Sequence, residues 1–78
     1  MAEDSPLFEE LRLIRKGLAD AEGVPPFVVF SDKTLKEMCA VLPTNKEQFL
    51  SVSGVGQMKL EKYGEPFISY FQKQVNHS

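Results

Sequence analysis

The residues of this chain whose types and spacing could do chemistry lie between Ser51 and Gly64, SVSGVGQMKLEKYG. Gly54 and Gly56 bracket Val55, and glycine can take a positive φ or let the backbone approach another molecule without a Cβ clash. The pattern predicts a tight hairpin. Gln57 then opens an apolar-periodic segment, so the amides from Gly56 to Met58 are expected at a helix N-terminus. Unpaired N–H donors and the positive end of the helix dipole attract anions there. Lys59 and Lys62 stand three apart on that helix and share one face beside the turn, where they can meet further negative charge. The ligand that suits this group is a phosphodiester backbone. A purely structural reading competes with it: the glycines turn two short helices back on each other, Val55 plugs the core and both lysines are solvated. A dinucleotide or mononucleotide loop is not indicated, because G-x-G-x-x-G would need glycine where Lys59 stands and G-x-x-x-x-G-K-[ST] is absent.

Two other groups could touch a nucleic acid. Arg12, Arg15 and Lys16 cluster at spacings of three and four on the polar side of the first helix, giving a second set of phosphate contacts or a solvated face. Phe27, after the double proline, either plugs the core with its neighbours or stands exposed as a platform on which a base stacks. Catalysis finds no support. Cys39 reads as a small buried hydrophobe, and a nucleophilic role would need a base near it, whereas the single histidine, His77, sits one residue from the end of the sequence. No metal-ligand spacing or nucleophile–base pair is apparent, so the fragment reads as neither an enzyme nor a holder of a cofactor or metal.

The elements that must position these residues are helical. Ser5 is a plausible N-cap with Pro6 at the first helical position, and Leu7, Leu11, Ile14, Leu18 and Ala21 form a continuous apolar stripe that Gly23 ends. Gly17 sits inside this helix, which predicts close packing of another segment across it. Val24-Pro25-Pro26 is a rigid connector, and Phe27 to Phe30 reads as a short irregular or helical turn, since no second strand exists to pair with it. Ser31 caps a second helix with Leu35, Met38, Cys39 and Leu42 on its buried side and Pro43 at its end. Thr44-Asn45-Lys46-Glu47 matches the capping box of a third, short helix that carries Phe49, Leu50 and Val52 inward. Leu60 and Tyr63 face the core from a fourth helix that Gly64 breaks. Pro66 starts a fifth, with Phe67, Ile68, Phe71 and Val75 buried and Tyr70 flanking. Residues 76–78 are expected to be loose. The prediction is an all-α fold, a compact orthogonal bundle of about five short helices with a helix–hairpin–helix-like element.

Composition sets the bounds. Seventy-eight residues make one small domain, 1–78, with an ordered core of about 5–75; such a chain buries only roughly 60% of the surface its unfolded form exposes, which leaves no room for a deep cleft. Apolar residues are 42% and charged residues 26%, an ordinary globular balance. The single cysteine fits a reducing, cytoplasmic setting, no apolar run approaches a membrane span, and a monomer is expected. With eleven acids against nine bases, the net charge of −2 offers no long-range pull on phosphates, so binding must rely on a local patch.

Three stretches together resemble a known family: LFEELRLIRKGLADAEGVPPFVVFSDKTLKEMC at Leu7 to Cys39, LPTNKEQFLSVSGVG at Leu42 to Gly56, and KLEKYGEPF at Lys59 to Phe67. The family is the helicase and RNase D C-terminal (HRDC) domain, of the SAM-like class. The GVPPFVVFSD and SVSGVGQMKLEKYG segments are more similar to bacterial RecQ helicases than to RNase D. The resemblance implies a compact five-helix fold and an accessory role in a 3′-to-5′ DNA-unwinding enzyme of repair and recombination, whose ATP and Mg²⁺ would be used elsewhere in that parent. It implies weak contact with single-stranded or branched DNA with little sequence preference. The family's hairpin falls on Ser53, Gly54, Val55 and Gly56 and its basic positions on Lys59 and Lys62. The aromatic after the prolines is often tyrosine in bacterial members and is Phe27 here. The second function class is a protein-docking module that meets the parent helicase or a repair protein through a charged face such as Glu61, Glu65 and the helix-one cluster.

Overall fold

Five helices follow in chain order: α1 (Pro6–Glu22), α2 (Pro26–Val29), α3 (Asp32–Val41), α4 (Lys46–Leu50) and α5 (Gln57–Val75). The computed structural model describes residues 6–75 and, among these, contains no strand. The Ser5 cap, residues 76–78 and His77 lie outside the described residues.

α1 opens at Pro6, whose missing N–H would have no intrahelical partner in any case. Its buried line is Phe8, Leu11, Arg15 and Ala19, with Leu7, Ile14 and Leu18 half-buried alongside. The inward face is therefore turned by about one residue from the expected stripe, and Ala21 is exposed. Gly23, at φ 71°, ends the helix: its N–H reaches Asp20 O at 3.2 Å and that of Val24 reaches Ala19 O at 3.0 Å. The close packing expected across Gly17 is not there, since nothing lies within 4 Å of the place a Cβ would take.

The Phe27–Phe30 segment is divided. Pro25 is extended and Pro26 starts a single helical turn that buries Val29 and Phe30 but leaves Phe27 70% exposed. Phe30 becomes the centre of the core, meeting the rings of Phe49, Tyr63 and Phe67 edge-on at centroid distances of 5.9, 6.0 and 5.5 Å. Ser31 caps α3 by accepting from the Thr34 N–H at 3.2 Å. That helix stops at Leu42, which takes φ 54° just before Pro43 and is exposed rather than buried. In α4 the cap is Asn45, one residue later than the Thr44 box predicts. The Asn45 side chain accepts from the Gln48 N–H at 2.8 Å, and Gln48 Oε1 accepts from the Thr44 N–H at 2.9 Å. Phe49 and Val52 are buried, while Leu50 is exposed.

The fourth and fifth predicted helices are one. α5 runs for 19 residues through both Gly64 and Pro66. Gly64 is buried, and a Cβ on it would stand 2.9 Å from Leu60 Cδ1 and 3.5 Å from the Phe49 ring, so this glycine lets α4 approach α5 instead of breaking it. Pro66 deprives the Lys62 carbonyl of its helical donor, but Pro66 is exposed and water can take that place. Five helices are thus found, divided differently from the expectation. α1 packs on α2, α3 and α5, and α4 packs on α5. The Cα radius of gyration, 11.5 Å, equals that of a compact domain of this length.

Candidate nucleic-acid interface

The turn between α4 and α5 is built from both sides. Val52 and Val55 are buried, and the Val55 N–H donates to Val52 O at 3.1 Å. Gly54 takes φ 90°, and a Cβ there would run into Thr34 Oγ1, so both conformation and space require glycine. α3 pins the turn at Ser53. Thr34 Oγ1 donates to Ser53 O at 3.1 Å, and the Ser53 N–H donates to Glu37 Oε2 at 3.0 Å. Neither contact was legible in the sequence, because Thr34 and Glu37 look like ordinary positions of an amphipathic helix.

The Leu60 N–H donates to Gly56 O at 2.9 Å, which makes Gly56 the N-cap of α5. The amides of Gln57, Met58 and Lys59 therefore occupy the first helical turn, where no carbonyl four residues back can receive them. Around Gly56 the space is open, with nothing within 4 Å of a would-be Cβ. The Gln57 side chain donates to Glu61 Oε2 at 3.0 Å, and Met58 is 79% exposed.

The two lysines share a face but not a state. Lys59 Nζ lies 5.7 Å from the centroid of the Phe30 ring and has no carboxylate partner among the described residues. Lys62 Nζ is 5.5 Å from the Tyr63 ring and ion-paired with Glu22 Oε2 at 3.0 Å. Glu22 Oε1 accepts from the Tyr63 hydroxyl at 2.7 Å. That hydrogen bond first, and then Lys62, holds the Glu22 carboxyl below the usual range, while Glu22 raises both the Lys62 ammonium and the Tyr63 phenol. Lys62 is thus not the plainly solvated residue of the competing structural reading: it is tied to α1, and Glu22, which sequence reasoning missed, is what ties it.

The α1 cluster separates. Arg15 is 8% exposed; its Nη1 donates to Phe30 O at 2.9 Å and pairs with Asp32 Oδ1 at 2.8 Å. A side chain so committed is a fixture of the core and not an open phosphate contact, because reaching solvent would strip the Phe30 carbonyl of its donor. Arg12 and Lys16 remain exposed, paired with Glu9 at 3.3 Å and Asp20 at 2.9 Å. These four residues, with Leu13, Arg15 and Pro26, line an open cleft of about 400 Å³ between α1 and the start of α2. Phe27 follows Pro26 directly, and its exposure rules out the core plug. Cys39 is half-buried, and burial pushes its thiol up, away from nucleophilic character.

Fold and site together define a small all-α domain organised around a helix–hairpin–helix-like turn. The chain belongs to the HRDC domain family, whose family model matches residues 4–70. It is 51% identical over 72 residues to the ATP-dependent DNA helicase RecQ of Bacillus subtilis, covering 92% of this chain and 12% of that protein. The RecQ helicase of Haemophilus influenzae is 46% identical over 70 residues, 90% of this chain and 11% of the relative. Among solved structures it is similar to the D. radiodurans RecQ HRDC domain 3, with a TM-score of 0.83 and 31% identity over 90% of this chain and 92% of that one. The chain thus spans about an eighth of the curated RecQ relatives it matches. Among the described residues, no helix is long and apolar enough to cross a membrane.

Proposed function

We propose that this domain is an accessory module of an ATP-dependent, 3′-to-5′ RecQ-type DNA helicase, in which it contacts single-stranded or branched DNA weakly through backbone phosphates and helps to direct the enzyme in repair and recombination. The observation that carries the reading is the pinned turn at Ser53–Gly56, which sets the open first turn of α5 beside Lys59, a lysine without an acidic partner among the described residues. Phe27 supplies an exposed ring for stacking, and Arg12 and Lys16 supply secondary charge. ATP and Mg²⁺ belong to the parent helicase and not to this domain.

A titration of the 78-residue chain with a fluorescent oligothymidylate tests this. Few phosphates are within reach, so the Kd is expected near about 10⁻⁴–10⁻⁶ M, with a log–log salt slope of roughly −1.4 to −2.1 for two or three neutralised phosphates. Lys59→Ala is expected to weaken binding and reduce that slope by about 0.7 while the protein stays folded. Phe27→Ala is expected to cost about 1–3 kcal/mol of binding if a base stacks there. Binding that is salt-insensitive, or unchanged by both substitutions, would refute the reading.

One observation favours a second reading, docking to the helicase core or a repair protein. Arg12 and Lys16 are each matched by an acid on their own helix, so the α1 cleft presents alternating charge rather than a basic surface. Under that reading the lysine change leaves DNA affinity as it was, while charge reversal at Glu61 and Glu65 breaks a partner complex.

A further inference from the structure

Glu22 is the last residue of α1, Asp20 precedes it by two, and that last turn carries no basic residue. Partial negative charge gathers at a helix C-terminus, so an acid there is locally unfavourable and needs compensation from elsewhere. The Glu22 carboxylate finds it across the fold, held at both oxygens: the Tyr63 hydroxyl donates at 2.7 Å and Lys62 Nζ lies at 3.0 Å. Tyr63 is buried with its ring against Phe30, so this anchor is fixed. The pair nevertheless sits where solvent reaches it, the Lys62 and Glu22 side chains being 54% and 31% exposed. A carboxylate oxygen 3.0 Å from an ammonium holds the position that a phosphate oxygen takes on the same group.

We propose that Glu22 is a built-in competitor for phosphate at Lys62: its carboxylate occupies the place of a backbone phosphodiester, and a single strand gains Lys62 only by displacing it. Glu22 therefore limits the affinity of the α5 face, and Lys59 makes the first contact. This rests on the reading of that face as phosphate-contacting.

The test compares binding of a fluorescent oligothymidylate at low salt by the 78-residue chain and its variants. Glu22→Gln keeps an acceptor for the Tyr63 hydroxyl and removes the charge. It is expected to tighten binding by about two- to fivefold, the worth of an exposed ion pair. Glu65→Gln, an equal charge change at an exposed position of α5 with no ion pair among the described residues, is expected to do less. Tyr63→Phe frees one oxygen of Glu22 at no change in net charge and is expected to tighten binding as well, so it decides the matter should Glu22→Gln melt early. In a Lys62→Ala background, Glu22→Gln is expected to gain no more than Glu65→Gln. If the parent binds and neither Glu22→Gln nor Tyr63→Phe exceeds Glu65→Gln, the competition is refuted while the phosphate-contacting face stands. If no variant binds at all, both fall.

Discussion

Arg15 shows how one side chain can read as surface charge and serve as core. Its spacing from Arg12 and its neighbour Lys16 place it in a basic cluster, yet its guanidinium passes inward to the Phe30 carbonyl and Asp32. The carbonyl at the end of α2 has to be satisfied, and Arg15 is the donor that reaches it. Arg15→Met, which keeps the stem and removes the donor, is expected to destabilise the domain by about 1.5–3 kcal/mol in urea denaturation and to leave DNA affinity unchanged in the fraction that stays folded. A selective loss of DNA binding at unchanged stability would return Arg15 to the interface. Nothing in the one-dimensional pattern separates it from Arg12, because an arginine is long enough to lie on either side of a helix boundary.

At the scale of elements, the caps were the most legible features. Pro6, Gly23, Ser31 and the glycines of the turn each bound a helix, since their chemistry is local. What escaped the sequence is what depends on a neighbour. Gly64 and Pro66 read as a break because both are poor helix formers, yet α5 continues since Phe49 needs the space over Gly64 and Pro66 faces water. The site was legible in the same measure: Gly54, Gly56 and Lys59 stand where the motif puts them, but the partners that hold the turn and mask Lys62 come from α3 and α1. Gly17 follows the reverse course, an interior glycine with a packing role expected and none found. Gly17→Ala is accordingly expected to raise stability by about 0.5–1 kcal/mol, read as a higher urea midpoint at constant slope. Destabilisation would mean that a neighbour does use that space.

Over the whole molecule, a core this small leaves little margin. A chain of this length is stable by only about 4–12 kcal/mol, and Leu35→Ala, at a fully buried site, is expected to remove about 2–5 kcal/mol of that. Thermal unfolding is expected to stay a single transition, with the midpoint well below that of the parent; a small shift would mean that the core relaxes around the gap. The α1–α5 tie makes stability depend on pH at both ends. Glu22 has its folded pKa lowered by the Tyr63 hydrogen bond and Lys62, so its contribution is present above the ordinary carboxylate pKa and disappears as pH falls through the folded value. Lys62 and Tyr63 are raised, so theirs is present below their ordinary values and fades as pH rises through the folded ones. Denaturation midpoints across the acid range are expected to fall less steeply for Glu22→Gln than for the parent, and equal slopes would show the tie to be idle. The turn at Ser53 carries a different consequence. A loop that becomes ordered only when its ligand arrives subtracts that lost freedom from the binding energy. Here Thr34 and Glu37 have already removed it, by holding both the carbonyl and the amide of one residue, so under the proposed reading the cost was met when the chain folded and a strand bound at the turn would have no loop left to order.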